Sequence, residues 1–118
     1  MKNILILCLC FCLLSCINEN PRVELFNNSD QTIDSVSIFV STHCLPLIIK
    51  DIKSQEKKKG ILYFCNDLTS DGSYGIEIYD KGKVVSQTGF GYYTNGKSLN
   101  RSFKITIGKL GDVIVEEK

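Results

Sequence analysis

Tryptophan is absent from this 118-residue chain, histidine and methionine occur once each, and proline occurs twice. The missing tryptophan removes the buried indole that marks immunoglobulin domains. A single histidine, His43, leaves no pair of imidazoles for the common zinc spacings and one candidate base for nucleophilic catalysis. Neither a phosphate-cradling glycine loop nor a metal-binding helix motif occurs. Charge of one sign is not in excess: 14 Lys and Arg stand against 13 Asp and Glu, without the net basic stripe that nucleic acid requires. Helical periodicity is nearly absent beyond residue 20, and no second apolar run of membrane-spanning length follows the first.

What is present begins at the N-terminus, MKNILILCLCFCLLSC. Lys2 supplies a positive start, residues 4–14 form an unbroken apolar run, and the small Ser15 precedes Cys16. That is the layout of a secretory signal peptide, too short to be a stable bilayer span. The ending Leu13-Leu14-Ser15-Cys16 resembles the lipobox of bacterial lipoprotein precursors, with Leu three residues before the cysteine and a small residue directly before it. The resemblance implies cleavage before Cys16 and a thioether from its sulfur to diacylglycerol. Each buried methylene contributes about 0.8 kcal/mol, so the two or three acyl chains of a lipoprotein hold it to a membrane without a transmembrane helix. By the same family analogy Ile17, where an Asp would retain the protein in the inner membrane, implies the outer membrane of a Gram-negative cell, on either face. The expected organisation is a signal peptide over 1–15, the lipidated cysteine and a short tether over 16–21, and one domain over 22–118. About a hundred mature residues suffice for one modest core.

Six cysteines sort by position. Cys8, Cys10 and Cys12 leave with the leader, and Cys16 takes the lipid. Cys44 and Cys65 remain, outside the cytosol, where disulfides persist. A bridge between them is the expectation. The alternatives are a metal site using His43, Cys44 and Cys65, or two buried thiols. No cofactor and no metal are expected.

The rest of the chain reads as short strands bounded by turn residues. Residues 22–26 form a first strand, ended by Asn27-Asn28-Ser29-Asp30. Over 33–40, Val36, Ile38 and Val40 alternate with Ser35 and Ser37, the period of a half-buried strand. Residues 47–49 follow Pro46, and 60–65 give another apolar run. Tyr74, Ile76 and Ile78 alternate into a hairpin turn at Asp80-Lys81-Gly82-Lys83, with return through 84–91. Asn95-Gly96 is a further turn signal. Residues 103–107 alternate again, 108–112 turn, and 113–115 close the domain. Seven or eight strands about ten residues apart predict an all-β fold, a single small antiparallel β-sandwich of Ig-like or transthyretin-like architecture. Lys57-Lys58-Lys59, near Lys53, reads as a solvated turn or a sheet edge blunted by lysines, with contact to anionic lipid as the alternative.

Chemistry is harder to locate. Cys44 adjoins His43, but neighbours on a strand point to opposite faces, so the histidine reads as a turn residue beside a disulfide. Glu24, Glu77 and Asp34 are candidate carboxylates for glycan hydrolysis by residue type alone. The segment 88–97, Thr-Gly-Phe-Gly-Tyr-Tyr-Thr-Asn-Gly-Lys, stands out. Phe90, Tyr92, Tyr93 and Asn95 form a candidate contact patch, because tyrosines beside a glycine-rich turn supply rigid amphipathic area. The competing reading puts Phe90 and Tyr92 in the core. With its early Asn-Asn-Ser turn and this late segment, the mature chain resembles small uncharacterised lipoproteins of Gram-negative bacteria, a resemblance that implies no activity. Asp34-Ser35-Val36 also looks like a short O-glycosylation acceptor of exported proteins. The expectation is a lipid-anchored envelope protein rather than an enzyme, a binding or structural module, in one version an inhibitor or immunity-type lipoprotein. Its partners would be the membrane, through Cys16, and another envelope or secreted protein, not nucleic acid. The alternative is an envelope hydrolase acting on glycan or peptide.

Overall fold

Alternating apolar residues can be buried on one face only if a second sheet covers that face. A computed structural model describes residues 20–118 and has this arrangement. The expected signal peptide over 1–15, the expected lipid site Cys16 and residues 17–19 of the expected tether lie outside the described residues.

Nine strands run in the order β1 (Arg22–Asn27), β2 (Ile33–Phe39), β3 (Leu47–Ile52), β4 (Lys57–Ile61), β5 (Gly72–Asp80), β6 (Lys83–Thr94), β7 (Lys97–Ser98), β8 (Ser102–Ile107) and β9 (Val113–Glu117). They form a four-stranded sheet, β4-β1-β8-β9, and a five-stranded sheet, β3-β2-β5-β6-β7. The fold is an all-β sandwich. Every pairing is antiparallel except β1 with β8, which run parallel from Arg22↔Ser102 to Asn27↔Ile107.

The inward residues are those the alternation picks out. Val23, Leu25, Phe103, Ile105 and Ile107 from one sheet meet Val36, Ile38, Ile49, Ile76 and Ile78 from the other, all buried. Two departures from the expected strands have physical causes. The strand expected over 60–65 lies earlier, at Lys57–Ile61, because its ladder with β1 runs from Phe26↔Lys57 to Arg22↔Ile61. Residues 62–65 are apolar for another reason: they cross from one sheet to the other, burying Leu62 and packing Phe64 against the core. The other departure is β7, a two-residue arm that pairs Lys97 and Ser98 with Thr94 and Tyr93 beyond the Asn95-Gly96 turn.

Both tight hairpins use residues with positive φ, Lys81 (50°) with Gly82 (77°) and Asn95 (51°) with Gly96 (68°), the signature of a type I′ turn. At the other end of β1, Asn27 is a fully buried polar side chain whose hydrogen-bonding capacity is filled. Its Nδ2 donates to the carbonyls of Gln31 (2.8 Å) and Ile52 (2.9 Å), and its Oδ1 accepts from Ser29 N (3.0 Å) and Oγ (2.6 Å). One side chain thus ties the β1–β2 turn to the end of β3.

Candidate functional site

Cys44 and Cys65 are bonded to each other, with α-carbons 5.4 Å apart. That separation is within the usual range for a bridge. Cys44 is on the loop between β2 and β3, and Cys65 is on the crossover from β4 to β5, not at the end of a strand. The bridge therefore fastens a hairpin loop of one sheet to the segment arriving from the other. With both sulfurs consumed, the metal site of His43, Cys44 and Cys65 and the paired free thiols are both set aside. His43 is exposed in the turn before Cys44, its backbone N–H donating to Ser41 Oγ at 3.3 Å.

The three candidate carboxylates are in separate contacts. Glu24, on the outer face of β1, meets Lys57 Nζ at 3.9 Å. Asp34 Oδ2 accepts from the Lys81 backbone N–H at 2.6 Å, holding the β5–β6 turn. Glu77 accepts from the Tyr79 hydroxyl beside it on β5, and that bond raises the tyrosine pKa. Ser35, the proposed acceptor, is half-buried in β2 and paired on both sides, with Lys50 and Tyr79.

The aromatic patch of residues 90–95 needs correction. Phe90 and Tyr93 both turn inward, whereas Tyr92 is half-exposed and Asn95 is exposed in its turn. The cause is a bulge. Register passes from Tyr74↔Phe90 to Gly72↔Tyr93, which places one extra residue on β6, and Gly91 there has a φ of 61°. The extra residue reverses the in–out alternation, so the expectation that pairs Phe90 with Tyr92 in the core fails at Tyr92. Tyr93 is buried, and Phe90 is partly buried and packed against the core. They join a cluster around buried Tyr74, which stacks on Phe90 (5.3 Å between centroids) and meets Phe103 edge-on (4.9 Å). Tyr93 donates to the Val40 carbonyl at 3.0 Å and Tyr74 to Ser98 Oγ at 3.0 Å. Burial raises both tyrosine pKa values; for Tyr74 the Ser98 bond opposes the shift and Tyr93 and Glu117 add to it.

The surface with the clearest chemical character is the outer face of the four-stranded sheet. Register places Lys59 and Lys104 on either side of Glu24, and Glu116 beside Lys104. Lys57 lies 5.6 Å over the Phe26 ring. β4 is the sheet edge, so the lysine run is an edge blunted by charge. At the Arg22 end of this face an open groove of about 420 Å³ is lined by Arg22, Glu24, Lys59, Ile61, Lys104 and Lys118. Arg22, Lys59, Lys104 and Lys118 stand around Glu24 there, with Glu116 beside Lys104. Sequence reading missed this grouping because it depends on the parallel β1–β8 register, which no local pattern encodes.

No protein-family model and no curated protein matches the chain. A solved structure described as the NMR structure of the protein from Eubacterium rectale aligns with a TM-score of 0.47 and 12% identity, over 84% of this chain and 88% of that one.

Proposed function

We propose that the protein is an exported, lipid-anchored component of a bacterial cell envelope, attached through Cys16, whose sandwich works by surface contact as a binding or structural module. The observation that carries the reading is Leu13-Leu14-Ser15-Cys16 closing an apolar run behind Lys2. The Cys44–Cys65 bridge supports it, because such bonds persist in oxidising compartments. The cation-lined groove beside Glu24 is the surface proposed for contact, and an acidic envelope or secreted protein is the partner class it suits. An inhibitor or immunity-type role is one form of this reading. In a Gram-negative cell Ile17 directs the protein to the outer membrane.

Cys16→Ala tests the anchor: the variant should accumulate unprocessed and without lipid, since no thiol remains to form the thioether. Normal processing of that variant would sink the proposal. Capture from solubilised envelopes tests the binding role, with the anchored protein and a Lys59→Glu/Lys104→Glu variant as baits. A partner held by the parent and lost by the variant is expected. Recovery of none, under conditions that retain a control complex, counts against the binding module.

A further inference from the structure

Topology gathers the two ends of the sandwich from different parts of the chain. Asn20 emerges at the end where Arg22 pairs with Ile61 and Ser102, where Ile38 pairs with Leu47, and where Gly72 pairs with Tyr93. The loops there are 40–46, 62–71, 95–96 and 99–101. Three of the large apolar side chains exposed on the domain are on these loops: Leu45 at 89% exposure, Tyr63 at 61% and Leu99 at 61%. The turns at the opposite end, 28–32, 53–56, 81–82 and 108–112, hold polar residues and glycine with one exposed large apolar side chain, Leu110. The other exposed large apolar residues of the described chain lie on strand faces.

The apolar end is also held rigid. Leu45 follows Cys44 and Tyr63 precedes Cys65 by two residues, so the disulfide fixes both loops together. Asn95 N–H donates to Asp71 Oδ1 at 2.9 Å and Gly96 N–H to the Ser70 carbonyl at 2.9 Å, tying the hairpin turn to the same crossover. On either side of Tyr63, Leu62 N–H donates to the Pro21 carbonyl (3.0 Å) and Phe64 N–H to Asn20 Oδ1 (3.3 Å). The chain leading back to Cys16 therefore leaves the domain beside Tyr63.

We infer that this end is a membrane-docking surface, resting Leu45, Tyr63 and Leu99 in the interfacial layer of the bilayer that holds the lipid on Cys16. The inference rests on the anchoring reading above. Only residues 17–19 separate Cys16 from Asn20, so the two α-carbons are at most about 14 Å apart. An interfacial layer is about 5–8 Å deep on each side of a bilayer. A tether this short holds the loops around Asn20 within reach of the layer, and their apolar side chains gain by entering it. Tyrosine is suited to that boundary, with an apolar ring and a polar tip. Among the loops and strand termini of this end Arg22, Lys97, Arg101 and Lys118 are nearly balanced by Asp67, Asp71 and Glu117, while Lys59 and Lys104 lie on the outer sheet face to the side, so docking is apolar and does not require anionic lipid.

The absence of tryptophan makes the test direct. Tyr63→Trp, Leu99→Trp and Leu110→Trp are each introduced into the full lipidated protein, reconstituted in phosphatidylcholine vesicles with brominated acyl chains. Emission from the Tyr63→Trp and Leu99→Trp reporters should be quenched at least threefold more than from Leu110→Trp, equally at low and high salt. Amide hydrogen exchange of the unsubstituted protein on vesicles should be slowed over 40–46 and 62–71 relative to 108–112, a readout free of any substitution. Equal, weak quenching at both ends, with lipid on Cys16 verified by intact mass, would overturn docking while leaving the anchor standing; that result is expected if a protein partner covers this end. An unmodified Cys16 would overturn the anchor and docking together.

Discussion

Replacing Asn27 by alanine should cost the domain about 2–4 kcal/mol, though it opens a stretch, Asn27-Asn28-Ser29-Asp30, that composition alone would mark as a tolerant turn. The side chain is fully buried and makes four hydrogen bonds. Gln31 is exposed and Ser29 half-buried, so their groups can turn to water, at about 1 kcal/mol or less per lost bond. The Ile52 carbonyl belongs to a residue with no exposure, where water cannot replace the lost donor, so losing that bond adds about 1–3 kcal/mol. Asn27→Asp sharpens the test. It keeps the shape and the acceptor for Ser29, but turns a carboxylate oxygen toward two carbonyl oxygens. Burial and those oxygens raise the folded-state pKa of the new carboxyl above its unfolded value. The folded variant then binds its proton more tightly than the unfolded chain does, so its stability is greatest below the unfolded pKa and falls as pH rises through the folded one. Urea unfolding at pH 3 and pH 7, followed by circular dichroism, measures both effects. An alanine variant within about 0.5 kcal/mol of the parent, the range of an ordinary surface change, would refute the clip. So would an aspartate penalty that is the same at the two pH values.

The Cys44→Ala/Cys65→Ala pair, which opens a loop of sequence separation 21, should lower stability by about 3 kcal/mol. A reducing agent should lower the unfolding midpoint of the parent and not of the variant. Tyr74 and Tyr93 have folded-state pKa values above the ordinary tyrosine value of 10.0, so the stability tied to their neutral form is present below that pH and is lost as pH rises through the folded values. Thermal melts between pH 9 and 12 should show a decline that is shallower in Tyr74→Phe. Gly82→Ala meets open space and should cost about 1–2 kcal/mol for its positive φ. Gly96→Ala adds a collision with the Leu68 carbonyl oxygen and should cost about 2–5 kcal/mol; equal losses would contradict the turn geometry.

Local signals carried far into the fold. Val36 and Ile38 against Ser35 and Ser37, and Phe103, Ile105 and Ile107 against Ser102, Lys104 and Thr106, show their inner faces by alternation alone, because one face of each strand is buried. Lys81-Gly82 and Asn95-Gly96 announce their turns because few residues take positive φ cheaply. Cys44 and Cys65 were legible as a pair once the leader and Cys16 were set apart. Features that depend on register were not legible. The bulge at Gly91 decides that Tyr93 is buried and Tyr92 exposed, and it exists through pairing with β5. The parallel neighbour of β1 arrives some eighty residues later and brings Lys104 beside Glu24. The run at 60–65 reads like one strand, but β4 ends at Ile61 and residues 62–65 serve a crossover. Asn27 looks like any turn asparagine until its partners, Gln31 and Ile52, are in place.

The central claim, a mature protein that begins at Cys16 and is held to a membrane by lipid there, is tested most directly by the intact mass of the protein extracted from membranes. The account predicts the mass of residues 16–118 with diacylglycerol on the N-terminal cysteine, with or without a third acyl chain, less two hydrogens for the Cys44–Cys65 bridge. A mature N-terminus at any other residue, or Cys16 present without lipid, would contradict it.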